Sequence, residues 1–336
     1  MRLQDFAYEL PDELIAQYPL KKREDARLMI VDRGSGEIRH DVFKNIGRYL
    51  PARSLLILNN SKVVQARLYG EKESTGARIE VFLLNRLPDG YSYEVLMRPL
   101  KRLKNGDRIV FPKEKIAAEV VDRDARVVRF NRKNLTSFLE KHGHIPLPPY
   151  IKRDDRAIDR THYQTVYADK LGSVAAPTAG LHFSKSVLNR LAGAGHDIRE
   201  VTLHINYGTF KPVEEDDITR HRMHYESYRV TKTVHRALLK AHESGKPIVA
   251  VGTTGTRVIE SLAHGYPLEG ETNLFIYPGV KLRWVDVLLT NFHLPHSTLL
   301  MLVSAFGGTD LIRRAYREAV RERYRFYSYG DAMLII

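Results

Sequence analysis

Four short stretches of this chain gather residue types that do chemistry. The first, IVAVGTTGTRVIESL (Ile248 to Leu262), reads as a strand, a Gly252-Thr253-Thr254-Gly255 turn and a helix. Backbone amides at a helix N-terminus, beside the hydroxyls of Thr253 and Thr254 and with Arg257 a turn further on, suit a carboxylate or a phosphate. No Gly-Lys-Ser/Thr follows and the glycines do not space as GxGxxG, so neither a phosphate-binding Walker loop nor a dinucleotide fingerprint is present. A plain capped helix fits the same residues. The second stretch, GSVAAPTAGLHF (Gly172 to Phe183), packs small residues that let backbone approach a ligand closely, and it carries Thr178 and ends at His182. A compact loop that merely holds His182 by hydrogen bonds is the other reading. In VTLHINYGTFKPV (Val201 to Val213) a strand delivers His204 to its end, before a Tyr207-Gly208-Thr209 turn. In LLTNFHLPHSTLLMLVSAFGG (Leu288 to Gly308) a strand ends at Asn291, Phe292 and His293, and Pro295 opens a helix that carries Ser304. Ligands of α/β proteins bind outside the carboxyl ends of the strands, which places His204 and His293 above ordinary surface histidines.

Metal binding is the rival use of these imidazoles. His221 and His224, and His293 and His296, have i, i+3 spacing. A zinc site wants three or four ligands, no HExxH is present, and Pro295 breaks a shared helical face in the second pair. No metal is expected.

The elements that must position these groups fall into two kinds. From about Tyr150 onward strands and helices alternate. Helices are predicted at Ser184–Ala192, Thr233–Glu243, Thr254–Ala263, Ser297–Phe306 and Asp310–Tyr324. Strands are predicted at Ile198–His204, Pro247–Val251, Leu274–Tyr277, Val285–Leu289 and Ala332–Ile336. Ahead of them, Leu28–Val31 and Ser54–Leu58 read as strands, and Pro11-Asp12-Glu13 and Phe43–Leu50 as short helices. Between Lys62 and Phe130 the character changes to six β-like runs separated by turn residues: Val63–Tyr69, Arg78–Leu84, Tyr91–Met97, Asp107–Phe111, Ile116–Val121 and Arg126–Phe130. Six short strands in so little chain suggest a small closed barrel, because closure removes exposed edges. The expected architecture is a discontinuous α/β domain, residues 1–61 and 150–336, with a six-stranded antiparallel β-barrel inserted at 62–149. The proline-rich HGHIPLPPYIKR (His142 to Arg153) is the return hinge.

Composition narrows the chemistry further. The chain of 336 residues has no cysteine, which removes disulfides, thiolate nucleophiles and cysteine-ligated zinc or iron–sulfur clusters. Its 53 Lys and Arg against 40 Asp and Glu leave a net charge of +13, a surplus that favours a polyanionic partner. Residues 62–153 hold 20 Lys or Arg and 11 Asp or Glu, so most of the surplus lies in the barrel segment. That segment could cradle a phosphate backbone; the arginines of the last helix fit a solvated face equally well. The start, MRLQDFAYELPDELIAQYPL, lacks the apolar core of a signal peptide, and no apolar run is long enough to span a bilayer. A cytoplasmic protein away from membranes is expected, and nothing demands more than a monomer.

Taken together, DFAYELPDELIAQYP, LNNSKVVQARLYG, GARIEVFLL, RPLKRLKNGD, GHIPLPPYIKR with HYQTVYA, GSVAAPTAGLHF, LHINYGTFKPV, AVGTTGTRVIES, VDVLLTNFHLPHSTLLMLVSAFGG and YRFYSYGDAMLII resemble the S-adenosylmethionine:tRNA ribosyltransferase-isomerases of queuosine biosynthesis. The resemblance runs over nearly the whole chain. It implies an α/β catalytic domain with an inserted six-stranded barrel. It also implies the transfer of a ribosyl unit from S-adenosylmethionine to a 7-aminomethyl-7-deazaguanine base at the wobble position of tRNA, giving epoxyqueuosine, adenine and methionine. S-adenosylmethionine would be consumed as a substrate, with no cofactor. Such chemistry needs a base for the proton on the carbon next to the positive sulfur, help for the departing adenine, and partners for the methionine carboxylate. Proton transfer near neutral pH points to His182, His204 and His293. Thr253, Thr254 and Arg257 suit the carboxylate; Thr178, Asn291 and Ser304 suit ribose or adenine. Lys62, Arg67, Arg98, Lys101, Arg102, Lys104, Lys152 and Arg153 suit tRNA. Two other classes fit parts of the chain: a non-catalytic RNA-binding barrel protein, and an RNA methyltransferase using the same donor.

Overall fold

The computed structural model describes residues 1–206, 213 and 215–336; the expected Tyr207-Gly208-Thr209 turn lies outside them. The chain folds as two units. One comprises Met1–Lys62, Pro149–Arg153 and Thr161–Ile336, the other Val63–Pro148 and Asp154–Arg160.

The larger unit is built on a nine-stranded mixed sheet. Its strands, numbered within the unit, are β1 (Arg27–Val31), β2 (Ile38–Val42), β3 (Leu55–Asn59), β4 (Asp197–Leu203), β5 (Glu226–Arg229), β6 (Ile248–Val251), β7 (Glu269–Thr272), β8 (Val287–Asn291) and β9 (Ala332–Ile335). They lie in the order β7-β5-β4-β3-β6-β8-β9-β1-β2. The four central strands β4, β3, β6 and β8 run parallel, and their carboxyl ends share one edge. β3, β6 and β8 are buried along their whole length, as strands covered on both faces must be, and their sequences LLILN, IVAV and VLLTN are correspondingly apolar. One cluster of apolar side chains lies under Leu238, Val258, Leu302 and Tyr316, the other under Phe43, Val187 and Leu191.

Three helices of this unit start at side-chain caps. Ser184, Thr231 and Ser297 each accept a hydrogen bond from a backbone amide three residues on, satisfying donors the first turn would leave unpaired. The helices run Lys185–Gly193, Lys232–Glu243, Gly252–Ala263, Thr298–Gly307 and Thr309–Arg321, within a few residues of the expected spans. The two early segments read as helical are 3-10 turns, Asp12–Leu14 and Phe43–Arg48. One strand differs. Leu274–Tyr277, expected as β, forms no strand; the pairing strand is the polar EGET of β7, joined to β5. The apolar run instead buries Ile276 in the core, and its Leu274 carbonyl accepts from Arg257. A polar edge strand carries no hydrophobic period to betray it, while an apolar loop imitates one.

The second unit is a closed, antiparallel, six-stranded barrel formed by Arg67–Lys72, Arg78–Arg86, Ser92–Arg98, Arg108–Phe111, Ile116–Asp122 and Val127–Phe130. Each strand overlaps one of the six β-like runs, although the first, expected over Val63–Tyr69, shares only residues 67–69 with the strand Arg67–Lys72. Leu68, Ile79, Val81, Val95, Ile109, Phe111, Val120 and Phe130 fill its interior. Gly70 is needed there: a Cβ would come 2.8 Å from Ile109 Cγ2 and 2.9 Å from the Phe111 ring.

Candidate active site

A cavity of about 310 Å³ opens at the carboxyl edge of the central parallel strands, within the size range of small-molecule sites and where such sites form in open α/β sheets. All four chemistry-bearing stretches contribute to its walls. Pro177 and Thr178 come from the small-residue segment, Ile205 follows β4, and Glu226 begins β5. Gly252, Thr253 and Thr254 follow β6, and Thr290, Asn291 and His293 end β8; Tyr150, Tyr163, His296, Tyr327 and Ser328 close the rest.

β6 passes into its helix with no intervening loop. Gly252 makes the turn at φ +84, and Val251 at the N-cap offers no side-chain hydrogen bond to the helix. The first amides therefore lack a side-chain cap beside Thr253 and Thr254, and Thr254 Oγ1 is buried without a partner. Arg257 also lines the cavity, but its guanidinium is fully engaged: it pairs with the Glu226 carboxylate and donates to the Leu274 and Thr272 carbonyls at 3.2 and 3.1 Å. Both partners of the pair are buried.

Asn291 lies at the floor. Its Nδ2 donates to the Tyr327 carbonyl at 3.2 Å and to His182 Nε2 at 3.0 Å, which leaves Oδ1 buried without a partner. His182 is thus behind Asn291, against Phe43, and does not line the cavity itself. His293 does. Its Nε2 is hydrogen-bonded to Thr290 Oγ1 at 2.7 Å, its carbonyl accepts from the Tyr8 hydroxyl at 2.5 Å and its amide donates to Tyr316 Oη at 3.0 Å. Burial pushes both imidazoles down to about 3, for His182 with help from Arg23 and Arg325; both are neutral at neutral pH. His204 sits at the end of β4 against Gly172, its pKa lowered by burial. Among the described residues it is not part of the cavity wall. Ser304 is buried on its helix and lines a separate small cleft with Phe6, Tyr8 and Arg313.

Several wall residues gave no chemical signal in the sequence. Glu226 lies in the polar HRMHYESY stretch and meets Arg257 only through folding. The rings of Tyr150 and Tyr327 meet at a tilt of 35° with centroids 4.5 Å apart, and Tyr150 bonds Ser328 Oγ at 2.5 Å. Gln17 holds the Tyr150 backbone by donating to its carbonyl at 2.9 Å, which gives the N-terminal segment its place in the site. His296, marked by the sequence only as a possible metal ligand, lines the cavity with Nε2 buried and unpartnered.

The basic residues divide by what they already hold. Arg98, Lys101, Arg102 and Lys104 are exposed at the end of one barrel strand and the turn that follows it, and no ion pair engages them among the described residues. In the same unit Arg67 is half-buried and paired with Glu80 at 3.1 Å. In the larger unit Lys62 is exposed, Lys152 pairs with Asp12 at 3.1 Å, and Arg153 donates to the Gln17 carbonyl and stacks over Tyr18. No helix among the described residues is long and apolar enough to cross a membrane.

Comparison with known proteins agrees over the full length. The chain is 48% identical to the S-adenosylmethionine:tRNA ribosyltransferase-isomerase of Sulfurihydrogenibium sp. (strain YO3AOP1), with 100% of both chains covered. It is 49% identical to the protein of the same name from Symbiobacterium thermophilum, again with 100% of each covered. It resembles the crystal structure of the S-adenosylmethionine tRNA ribosyltransferase of Thermotoga maritima at 38% identity and a TM-score of 0.56, over 99% of this chain and 100% of that one. The family described as "Queuosine biosynthesis protein" matches residues 3–335, and the chain belongs to that family.

Proposed function

We propose that the chain transfers the ribosyl unit of S-adenosylmethionine to the 7-aminomethyl-7-deazaguanine base of tRNA and isomerises it, giving epoxyqueuosine-tRNA, adenine and methionine. The observation that carries this reading is the end-to-end kinship with ribosyltransferase-isomerases, and the chemistry of the cavity supports it.

The donor presents a carboxylate, an ammonium, a sulfonium, two ribose hydroxyls and adenine, and the cavity offers a match for each. The amides and hydroxyls at Thr253 and Thr254 receive the carboxylate at a helix N-terminus. Arg257 serves that end indirectly, by fixing the Glu226 carboxylate in the wall, where it favours the cationic part of the donor. Asn291 Oδ1, an acceptor left open and buried, takes a hydroxyl of ribose or the amine of adenine, since a buried polar atom without a partner costs free energy until a ligand supplies one. Thr178 also lines the cavity, and the Tyr150–Tyr327 pair offers aromatic faces to a purine. A neutral His293 fits a site for a sulfonium, because an imidazolium there would repel it. The donor is a substrate of this reaction, and we propose that no metal or separate cofactor takes part.

Of the three histidines first singled out, His293 faces the cavity, His182 acts through Asn291, and His204 lies at the end of β4. Single replacements by alanine should therefore lower turnover in the order His293, His182, His204, measured as the rate of adenine release. For tRNA, the exposed Lys62, Arg98, Lys101, Arg102 and Lys104 are the contacts we favour; Arg67, Lys152 and Arg153 are already engaged within the chain.

The test is product analysis. With S-adenosylmethionine and tRNA carrying the aminomethyl-deazaguanine, in the presence of EDTA, the protein should release free adenine and methionine. S-adenosylhomocysteine instead would mark a methyltransferase, tRNA binding without turnover a non-catalytic barrel protein, and activity lost in EDTA but restored by zinc a metal requirement.

A further inference from the structure

The histidines near the cavity differ in what their ring nitrogens already do. His293 Nε2 is bonded to Thr290 and His182 Nε2 to Asn291, and His204 is not in the wall. His296 lines the cavity with its Nε2 buried and unpartnered. Its backbone is also unusual, with φ 59, in the left-handed region that residues other than glycine seldom occupy. The surroundings hold it there: its amide donates to the Phe6 carbonyl at 3.1 Å, Pro295 precedes it, and Ser297 caps the next helix. Tyr327 repeats the combination, with φ 69, a place in the wall and a buried hydroxyl without a partner. Strained backbone and an unsatisfied buried polar atom, together in a cavity wall, are characteristic of groups reserved for a ligand.

We infer that His296 is the general base of the reaction, its free ring nitrogen taking a proton from the ribose C5′ of the donor. This rests on the donor reading above. The C5′–H bond breaks and an N–H bond forms on the ring. The electron pair stays on C5′, stabilised by the adjacent positive sulfur, and imidazole becomes imidazolium, so one positive charge stands on the donor before the step and one on His296 after it. A base must have a lone pair not already spent on a protein hydrogen bond and must reach the proton. Of the histidines that line the cavity, His296 is the one with a buried ring nitrogen that has no protein partner among the described residues, and its place in the wall sets it beside the bound donor.

Two variants test it. His296→Asn keeps a side chain that tolerates left-handed backbone, and His296→Ala removes the ring. Both should keep wild-type unfolding behaviour and donor binding within about threefold, while adenine release falls by roughly 10²–10⁴. Added imidazole should restore part of the rate in His296→Ala, which a merely structural histidine would not allow. Turnover near wild type in His296→Asn, or a loss confined to the donor KM with kcat intact, would overturn the assignment. Failure of the wild-type protein to release adenine would overturn the donor reading itself, and this inference with it.

Discussion

Arg257 and Glu226 show how much a single residue can mean before and after folding. Arg257 stood out because it follows a Gly-Thr-Thr-Gly turn, and it does line the cavity. Its partner was illegible: Glu226 sits in a polar stretch 31 residues earlier, where a carboxylate reads as solvent-exposed, and only the antiparallel placement of β5 beside β4 brings it inside. Removing one member of a buried pair leaves an uncompensated charge. Glu226→Ala should therefore cost about 3–5 kcal/mol in denaturant unfolding, and the double variant Glu226→Leu with Arg257→Met should recover most of it. A single-variant loss below about 1 kcal/mol would mean the pair is hydrated. The buried imidazoles make a second prediction at this scale. His182 and His293 titrate at about 3 in the folded chain against roughly 6.5 unfolded, so between those values the unfolded state binds more protons. Their contribution to stability is complete above about pH 6.5 and is lost as pH falls toward 3. Unfolding free energy measured across that window should decline less steeply in His293→Gln than in wild type.

Elements were legible where they carry a hydrophobic period. The five helices of the larger unit were legible through apolar spacing, and the six barrel strands through β-like runs between turn residues. β2 went unseen because none of its positions is fully buried, β5 because its inward face is opened by the charged Glu226 where an apolar residue would mark a strand, and β7 because it is a polar edge. The basic helix Thr309–Arg321 proves to spend much of its charge locally: Arg313 reaches Asp310 and the Asp5 carbonyl, and Arg321 pairs with Glu318. The barrel interior gives the prediction that belongs to this scale. Gly70→Val must push its new methyls into Ile109 and Phe111, so it should destabilise the barrel by at least about 1–3 kcal/mol, the usual cost of overpacking. Thermal unfolding would check it; an unchanged midpoint would mean the strand Arg67–Lys72 can shift to make room.

For the molecule as a whole, charge and kinship point the same way. The surplus of basic residues concentrates in the segment that folds as the barrel, and four of its cations, Arg98, Lys101, Arg102 and Lys104, are exposed without ion pairs among the described residues. Replacing Lys101, Arg102 and Lys104 together by alanine should weaken tRNA binding and reduce its salt slope by roughly one for each phosphate no longer neutralised, while S-adenosylmethionine binding stays as it was. An unchanged slope would make that basic turn a solvated surface. The central claim is that the ribose carbons of the donor end up on the tRNA base. S-adenosylmethionine carrying ¹³C in its ribose tests this most directly, with digestion of the product tRNA and mass spectrometry of its nucleosides. The account predicts that the label appears in the modified deazaguanosine of the tRNA, in step with unlabelled adenine and methionine in solution. Label retained in S-adenosylhomocysteine, or a modified base without label, would contradict it.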